Sequence, residues 1–241
     1  MKIVNAVWEK RNMGISCIEA HIEEKDAAPE IIANLSENEA QYMVVKIPST
    51  RVDLLFTLSK EGYIFIETMF GLFMKLDCIH GSMPDKFSSI KYSLMADGDI
   101  EQVYFEIESG MFSTDRISLD PHFSPKQVSD RYKGWIEDEL ARGAQLLNIM
   151  DQDISIGFCA FRKLTNDTYL EFLNGLYPAF HGKGLGLVLV SCLGSYIIES
   201  GGKFFTASIS SNNIPSLKNH LRYGCLPDSI EYVLVKHNMS L

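Results

Sequence analysis

Residues 176–186, Leu-Tyr-Pro-Ala-Phe-His-Gly-Lys-Gly-Leu-Gly, join one apolar segment to another of helical character. Gly182, Gly184 and Gly186 fall within five positions, and glycine lets backbone amides turn toward a ligand without a Cβ in the way. The Leu-Val-Leu-Val stretch that follows would begin a helix, whose N-terminal amides and dipole favour an anion. The segment therefore predicts a strand, a glycine-rich turn and a helix start that together bind a diphosphate.

Two common phosphate-binding motifs do not fit this turn. The dinucleotide motif G-x-G-x-x-G differs from the G-x-G-x-G spacing found here, and the turn lies late in the chain without the usual βαβ unit. The Walker motif needs Ser or Thr after its lysine, but Lys183 is followed by Gly184. A glycine-rich turn without a ligand stays open as the alternative, although such glycines cost helix stability.

The turn resembles the acyl-CoA loop of the GNAT N-acetyltransferases, [QR]-x-x-G-x-[GA], and is preceded by that family's apolar-x-Pro. His181 stands where the family has Gln or Arg. The resemblance implies an α/β (α+β) GNAT acyl-CoA N-acyltransferase fold, with acetyl-CoA as the acyl donor and no metal. The implied coenzyme contacts are those of the strand end and the turn: Leu176, Tyr177, Phe180, His181, Gly182, Lys183, Gly184, Leu185 and Gly186.

Composition limits the alternatives. The chain has 241 residues, 46% of them hydrophobic, and a formal net charge of −9 without a basic run, which argues against nucleic acid as a partner. Five scattered cysteines predict free thiols in a reducing compartment. Because signal-peptide and membrane-spanning patterns are lacking, we expect a cytoplasmic protein without a membrane partner. Homodimer formation is left open. The histidines, including His122 and His237, show no local zinc-ligand spacing.

The second half of the chain has a regular order of predicted elements. A helix over 125–143 with Ser124 as N-cap precedes strands at 145–150 and 154–161, which are joined by the turn at 151–153. A third strand over 168–177, the glycine turn and its helix, a strand over 204–209, a short helix over 215–222 and a strand over 230–235 follow. This α-β-β-β-α-β-α-β order is that of a GNAT domain, which we place at 103–241.

The first hundred residues resemble a degenerate copy of the last part of that domain. Residues 41–50 align with 203–212, and 53–62 align without a gap with 215–224. Where the copy should have its glycine turn it has Glu23-Glu24-Lys25-Asp26, whose acidic side chains would repel a diphosphate. We therefore predict a structural GNAT-like domain over 1–100 that packs onto or extends the catalytic sheet, with 83–102 as the connection. Chance similarity of strand–helix–strand units is the alternative.

The short helix after the glycine turn resembles a second GNAT pattern, N-x-x-[AS]-x-x-x-[Y]-x-x-x-G. Asn213, Ser216 and Gly224 match it, and His220 occupies the position of the tyrosine that protonates the departing thiolate in the family. Protonated imidazole can serve as such a donor. The resemblance thus implies His220 as the general acid, Tyr223 as a second candidate donor, and Asn213 and Ser216 as coenzyme contacts. Helix capping alone is the alternative for Asn213, and simple packing is the alternative for His220.

Attack on a thioester requires a neutral amine, so a base is expected. Glu171, on the strand before the turn, is the candidate carboxylate, and Asn174 is a candidate substrate contact. Strand alternation places these two residues on opposite faces, so at most one would face the cleft. A surface position for Glu171, with an ordered water as proton relay, is the alternative.

A narrower resemblance concerns the acceptor. Residues 112–124, with Arg131, Tyr132 and Trp135 after them, are similar to the segment leading into the first helix of the dTDP-fucosamine (dTDP-4-amino-4,6-dideoxygalactose) acetyltransferases. This resemblance implies a nucleotide-linked amino sugar for cell-surface polysaccharide biosynthesis as the acceptor, near those three residues. Packing on a helix face is their alternative role. Other amines (an amino acid, a peptide or a polyamine) and a non-catalytic CoA-binding protein remain alternatives.

Overall fold

The computed structural model describes residues 1–76 and 87–238. Ten strands lie in the described part, in chain order β1 (Lys2–Asn5), β2 (Cys17–His21), β3 (Tyr42–Pro48), β4 (Ile64–Lys75), β5 (Ile90–Leu94), β6 (Gln145–Asp151), β7 (Ile154–Lys163), β8 (Thr168–Leu176), β9 (Phe204–Ser210) and β10 (Leu226–His237). Its helices are α1 (Val7–Met13), α2 (Ala28–Ser36), α3 (Val52–Lys60), α4 (Asp97–Glu108), α5 (Pro125–Ala141), α6 (Gly186–Glu199) and α7 (Ile214–Tyr223). None of these helices is long and apolar enough to cross a membrane.

All ten strands form one sheet, in the order β1-β2-β3-β10-β4-β9-β8-β7-β6-β5. The proposed sequence repeat has a counterpart in this topology, because β2-α2-β3-α3-β4 and β8-α6-β9-α7-β10 follow the same order. Within each copy, the first two strands pair in parallel: β2 with β3, and β8 with β9.

The last strand of each copy crosses into the other. β4 pairs antiparallel with β9 through Met69↔Ser210 to Lys75↔Phe204, whereas β10 pairs antiparallel with β3 through Glu231↔Pro48 to His237↔Tyr42. β4 and β10 also pair with each other at the centre of the sheet. The boundary that we predict near residue 100 therefore divides the chain but not the sheet.

Both faces of the sheet are covered by helices, and the side chains of each strand alternate between the two layers. On β7, Cys159 and Phe161 belong to the core beneath α6, while Phe158 and Ala160 belong to the core beneath α4 and α5. Side chains alternate in this way because successive residues of a strand point to opposite faces. The site described below lies in the layer of α6 and α7.

The predicted elements of the second half are confirmed to within a few residues. The Ser124 hydroxyl accepts from the backbone N–H of Gln127 at the start of α5, and Gln152 and Asp153, both at positive φ, form the turn between β6 and β7. The expected connection at 83–102 is different: β5 and α4 lie in it, and residues 83–86 are outside the described part. The polar composition of this stretch gave no indication of β5, which pairs with β6 at the edge of the sheet.

Buried ion pairs join the two halves. Glu9 of α1 is fully buried, and its Oε1 lies 2.9 Å from Nε of Arg131 on α5. Arg116 contributes a further contact, with Nη2 2.6 Å from Glu19 on β2 and 3.8 Å from Glu9. Because a buried carboxylate without its cation is costly, this cluster fixes α5 against the N-terminal half.

We expect Arg131→Met to lower the free energy of unfolding by about 3 kcal/mol, because Glu9 would be left buried with only the more distant Arg116. Urea denaturation followed by circular dichroism measures this. Arg11→Met is the matched control: Arg11 joins the same two helices through Asp138, but its side chain is 53% exposed, so its loss should cost under about 1 kcal/mol. Equal effects of the two substitutions would contradict a structural role for Arg131.

Candidate active site

The glycine turn leaves β8 and enters α6. After Leu176 the chain forms a 3₁₀ turn at Pro178–Phe180, and Gly182 and Gly184 then both adopt φ of +74°. Side chains rarely tolerate this conformation, which accounts for glycine at both positions. A Cβ built at either one would meet nothing within 4 Å. The backbone of this turn is therefore approachable from outside.

The first turn of α6 keeps its backbone amides available. None of the described side chains caps this helix at Leu185, and its first turn has no acidic residue. Gly186 serves a different purpose, because a Cβ there would lie 2.2 Å from Nδ2 of Asn219. The small residue thus lets α7 approach the start of α6.

Two parallel strands separate just before this turn. β8 and β9 pair only from Thr168↔Phe204 to Glu171↔Ala207. Beyond that point β8 continues beside β7 to Leu176, and β9 continues beside β4 to Ser210. The opening leaves the β9-facing edge of residues 172–176 without a strand partner in the described part of the chain.

A cleft of about 750 Å³ connects the opening with the glycine turn. It is lined by the strand end 174–176, by the turn and the first residues of α6, and by one side of α7. Residues 111–114, from the connection between α4 and α5, form the remaining wall. A single cavity therefore joins a place suited to an anion with an unpaired strand edge.

His220 lies at the bottom of this cleft and is fully buried. Its Nδ1 donates to the backbone carbonyl of Ser216 at 2.9 Å, and its Nε2 lies 2.7 Å from Oε2 of Glu171. Because a carbonyl can only accept, Nδ1 carries a proton, and a second proton is shared between Nε2 and the carboxyl group of Glu171.

The electrostatics of His220 follow from these contacts. Burial alone would lower its pKa, but the charge of Glu171, the hydrogen bond to that carboxylate and the Ser216 carbonyl outweigh burial and raise the pKa above its ordinary 6.5. The charged form of the ring is therefore favoured more than in a free histidine side chain.

Glu171 is buried, 3% exposed, rather than at the surface. Its second oxygen, Oε1, accepts from Nδ2 of Asn174 at 2.7 Å. The expectation that these two residues lie on opposite faces is wrong, because a β-bulge shifts the β7–β8 register between Ala160↔Leu173 and Phe161↔Glu171. The extra residue, Phe172, reverses the alternation and brings both side chains to the layer of α6 and α7.

The other residues of α7 have distinct surroundings. Asn213 caps the helix, with its Oδ1 accepting from the backbone N–H of Ser216 at 3.2 Å, and both residues line the cleft. Tyr223 instead packs against α6, where a Cβ on Gly194 would collide with its hydroxyl. Burial raises the pKa of this phenol. As a second proton donor Tyr223 has the wrong position, because its hydroxyl points into the helix–helix contact.

The three expected acceptor contacts on α5 are engaged elsewhere. Arg131 pairs with Glu9, and the Tyr132 hydroxyl bonds Asp115. Trp135 packs at 5.5 Å from the ring of Phe172. None of the three lines the cleft, whereas Asn174 does. Among the residues of the turn, His181 returns to the strand, with Nε2 2.9 Å from the carbonyl oxygen of Leu176, and Lys183 lies 4.8 Å above the Phe180 ring.

Sequence reasoning missed two groups that line the cleft. Lys218 and Arg222 are exposed, four residues apart on α7, and have no ion-pair partner among the described residues. Their own spacing of four residues on the predicted helix could have identified them as a charged side of it. Residues 111–114 are the second group, and their position depends on the packing of a long connection that no local pattern predicts.

We expect Glu171→Gln to lower the pKa of His220 below 6.5, because burial would then act without the opposing charge. Proton NMR titration of the ring measures this. Since the folded pKa is raised in the wild type, the pair stabilises the fold fully below about pH 6.5, and this contribution is lost as the pH rises through the folded value. The difference in the free energy of unfolding between wild type and Glu171→Gln should therefore shrink as the pH rises through the folded pKa. Glu67→Gln, which removes another buried carboxylate, should leave the His220 titration unchanged.

Comparisons with known proteins place the fold. No protein-family model matches the chain, and no curated protein is a match in sequence. Among solved structures, a GCN5-related N-acetyltransferase from Sphaerobacter thermophilus matches with a TM-score of 0.65 at 13% identity, over 98% of this chain and 75% of that one. A GCN5-related N-acetyltransferase from Kribbella flavida has a TM-score of 0.57 at 11% identity, over 93% and 82%.

A tandem GNAT protein from the clavulanic acid biosynthesis pathway also matches, with a TM-score of 0.53 at 10% identity, over 88% of this chain and 68% of that one. At sequence identities this low, the structural similarity establishes the fold alone. The chain therefore has the GNAT fold, with a second, GNAT-like copy in its N-terminal half that lacks the glycine turn.

Proposed function

We propose that this protein is an N-acetyltransferase that moves an acetyl group from acetyl-CoA to a primary amine by direct transfer in a ternary complex. The observation that carries the proposal is the buried His220–Glu171 pair at the opening between β8 and β9, in the same cleft as the glycine turn. An anion-binding turn, an unpaired strand edge and a proton-carrying pair are together what acyl transfer from a thioester needs.

The donor would be held by backbone groups. The diphosphate of acetyl-CoA fits the uncapped amides of α6 beyond Gly182 and Gly184, because helix N-termini favour anions. The free edge of β8 offers backbone partners to the amides of the pantetheine arm. Lys218 and Arg222, cationic and unpaired on the cleft wall, add charge that complements the phosphates.

The His220–Glu171 pair would move the protons. The amine attacks the thioester carbonyl, and the departing sulfur takes the proton that Nε2 of His220 shares with Glu171, while the Nδ1 proton stays bound to the Ser216 carbonyl. The neutral ring then recovers a proton from the acetylated amine through Glu171, directly or by way of water. The amine loses one proton and the thiol gains one, so the pair returns to its starting state.

The acceptor is the finer part of the proposal. A nucleotide-linked amino sugar is supported by the resemblance of residues 112–124 to the dTDP-fucosamine enzymes, and Ser113 and Thr114 of that segment line the cleft with hydroxyl groups suited to a sugar. Arg131, Tyr132 and Trp135 do not support it, because their polar groups and rings are already engaged. Another primary amine is the competing acceptor.

The test is release of free thiol from acetyl-CoA with a panel of amines that includes nucleotide amino sugars, amino acids and polyamines. We expect turnover with at least one acceptor, and His220→Phe should reduce kcat by about 10²- to 10⁴-fold, the usual contribution of a general acid, while the Kd for acetyl-CoA stays nearly unchanged. Tyr223→Phe is the matched control and should keep its kcat. Acetyl-CoA binding without turnover for any amine would instead indicate a non-catalytic CoA-binding protein.

Donor binding is tested separately at the glycine turn. We expect Gly184→Val to weaken acetyl-CoA binding at least tenfold in titration calorimetry, because a branched side chain strains the backbone at φ of +74° and covers the amides. Gly143→Val is the control, since Gly143 has a φ of +87° and equally open surroundings at the end of α5. A wild-type protein that binds no coenzyme A thioester would contradict the whole proposal.

A further inference from the structure

A second polar cluster lies away from the cleft, where the connection between α4 and α5 meets the end of β10. Asp120 and His122 belong to that connection, and His237 is the last residue of the strand. One ligand-type atom from each of the three lies within 4.8 Å of the others. The two histidines are 115 positions apart in the sequence, which explains why local spacing did not predict the group.

The two imidazole rings converge on one carboxylate. His122 Nδ1 lies 2.9 Å from Oδ1 of Asp120, and His237 Nε2 lies 2.7 Å from Oδ2. The rings stack on each other, with centroids 3.9 Å apart and planes 17° apart. The ring nitrogens that face Asp120 therefore lie on the same side of the cluster as its carboxylate oxygens.

One buried ring nitrogen of this cluster has no hydrogen-bond partner in the described part of the chain. The side chain of His237 is only 8% exposed, and its Nδ1 has no hydrogen-bond partner among the described residues. The hydroxyl of Tyr42 is likewise buried without a partner, and its ring centroid lies 4.8 Å from that of His237. If Nε2 of His237 bound a cation, the remaining ring proton would have to reside on Nδ1.

We propose that Asp120, His122 and His237 bind a divalent zinc ion. Two imidazole nitrogens and one carboxylate oxygen are ligands that zinc prefers. Tetrahedral bonds of zinc place ligand atoms about 3.3 Å apart. The contact between the ligating carboxylate oxygen and its histidine, 2.9 Å for Oδ1 or 2.7 Å for Oδ2, must therefore widen by roughly 0.5 Å. His122, whose side chain is 24% exposed, borders the solvent that supplies a fourth ligand.

The position of the cluster gives this ion a structural role. β10 lies between β3 and β4, and it is the strand that the second copy contributes to the N-terminal half. Zinc would fasten the end of that strand to the connection that also lines the cleft at residues 111–114. The site does not depend on acetyl transfer, because none of its three ligands lines the cleft.

Metal binding by the full-length apoprotein tests the proposal. We expect Co²⁺ to give the visible absorption bands of a tetrahedral site, and Zn²⁺ to displace it. At a zinc concentration of 100 times Kd, the Tm should rise by about 5 to 10 °C. His122→Gln should weaken Zn²⁺ binding by more than about 100-fold, the upper end of what loss of an outer-shell partner costs.

The controls separate this site from other zinc ligands and from unfolding. His21→Gln removes a histidine that lies 3.7 Å from Glu19 outside the cluster, and it should keep both the Co²⁺ bands and the Tm shift. Because the side chain of His237 is buried, its substitution would also alter packing, so His122→Gln and Asp120→Asn are the informative variants. Absence of tetrahedral bands in the wild type, or zinc binding that survives both substitutions, would overturn the proposal.

Discussion

The candidate site depends on the loss of pairing between β8 and β9 beyond Glu171 and Ala207. Parallel strands that stop pairing leave backbone donors and acceptors that must find other partners, and a substrate can supply them. The same separation gives room for His220, which approaches from α7 and meets Glu171 at the last paired position. Strand edge, proton donor and carboxylate are thus brought together by one interruption of the sheet.

The N-terminal half is needed to hold that interruption open. β9 is kept in place by β4, a strand of the first copy, and β4 is in turn flanked by β10. Each copy therefore completes the sheet of the other, and neither half has a complete set of paired strands by itself. The acidic segment at Glu23–Asp26 lies between β2 and α2, where the second copy has its glycine turn, yet the last strand of the first copy still supports β9, which borders the opening at which transfer is proposed.

Sequence patterns predicted the elements of the second half and the glycine turn because these depend on local rules. The spacing of Gly182 and Gly184 reflects two positive φ angles, and Ser124 and Asn213 were recognisable as caps. The facing of Glu171 and Asn174 was not predictable, since it depends on a bulge that pairing with β7 determines. The pairing of β4 with β9 and of β10 with β3 depends on tertiary packing and has no local sequence pattern. The same holds for the ion pair between Arg131 and Glu9.

His220 stands where the GNAT pattern has a tyrosine, and this replacement requires a nearby negative charge. A neutral phenol can be buried without a counter-charge, but a fully buried imidazole would lose its proton, because desolvation lowers its pKa. Glu171 reverses that effect, and Asn174 holds the carboxylate by its other oxygen. The acid role that we propose for His220 therefore requires Glu171, and the bulge at Phe172 that brings Asn174 to the same face belongs to the same arrangement.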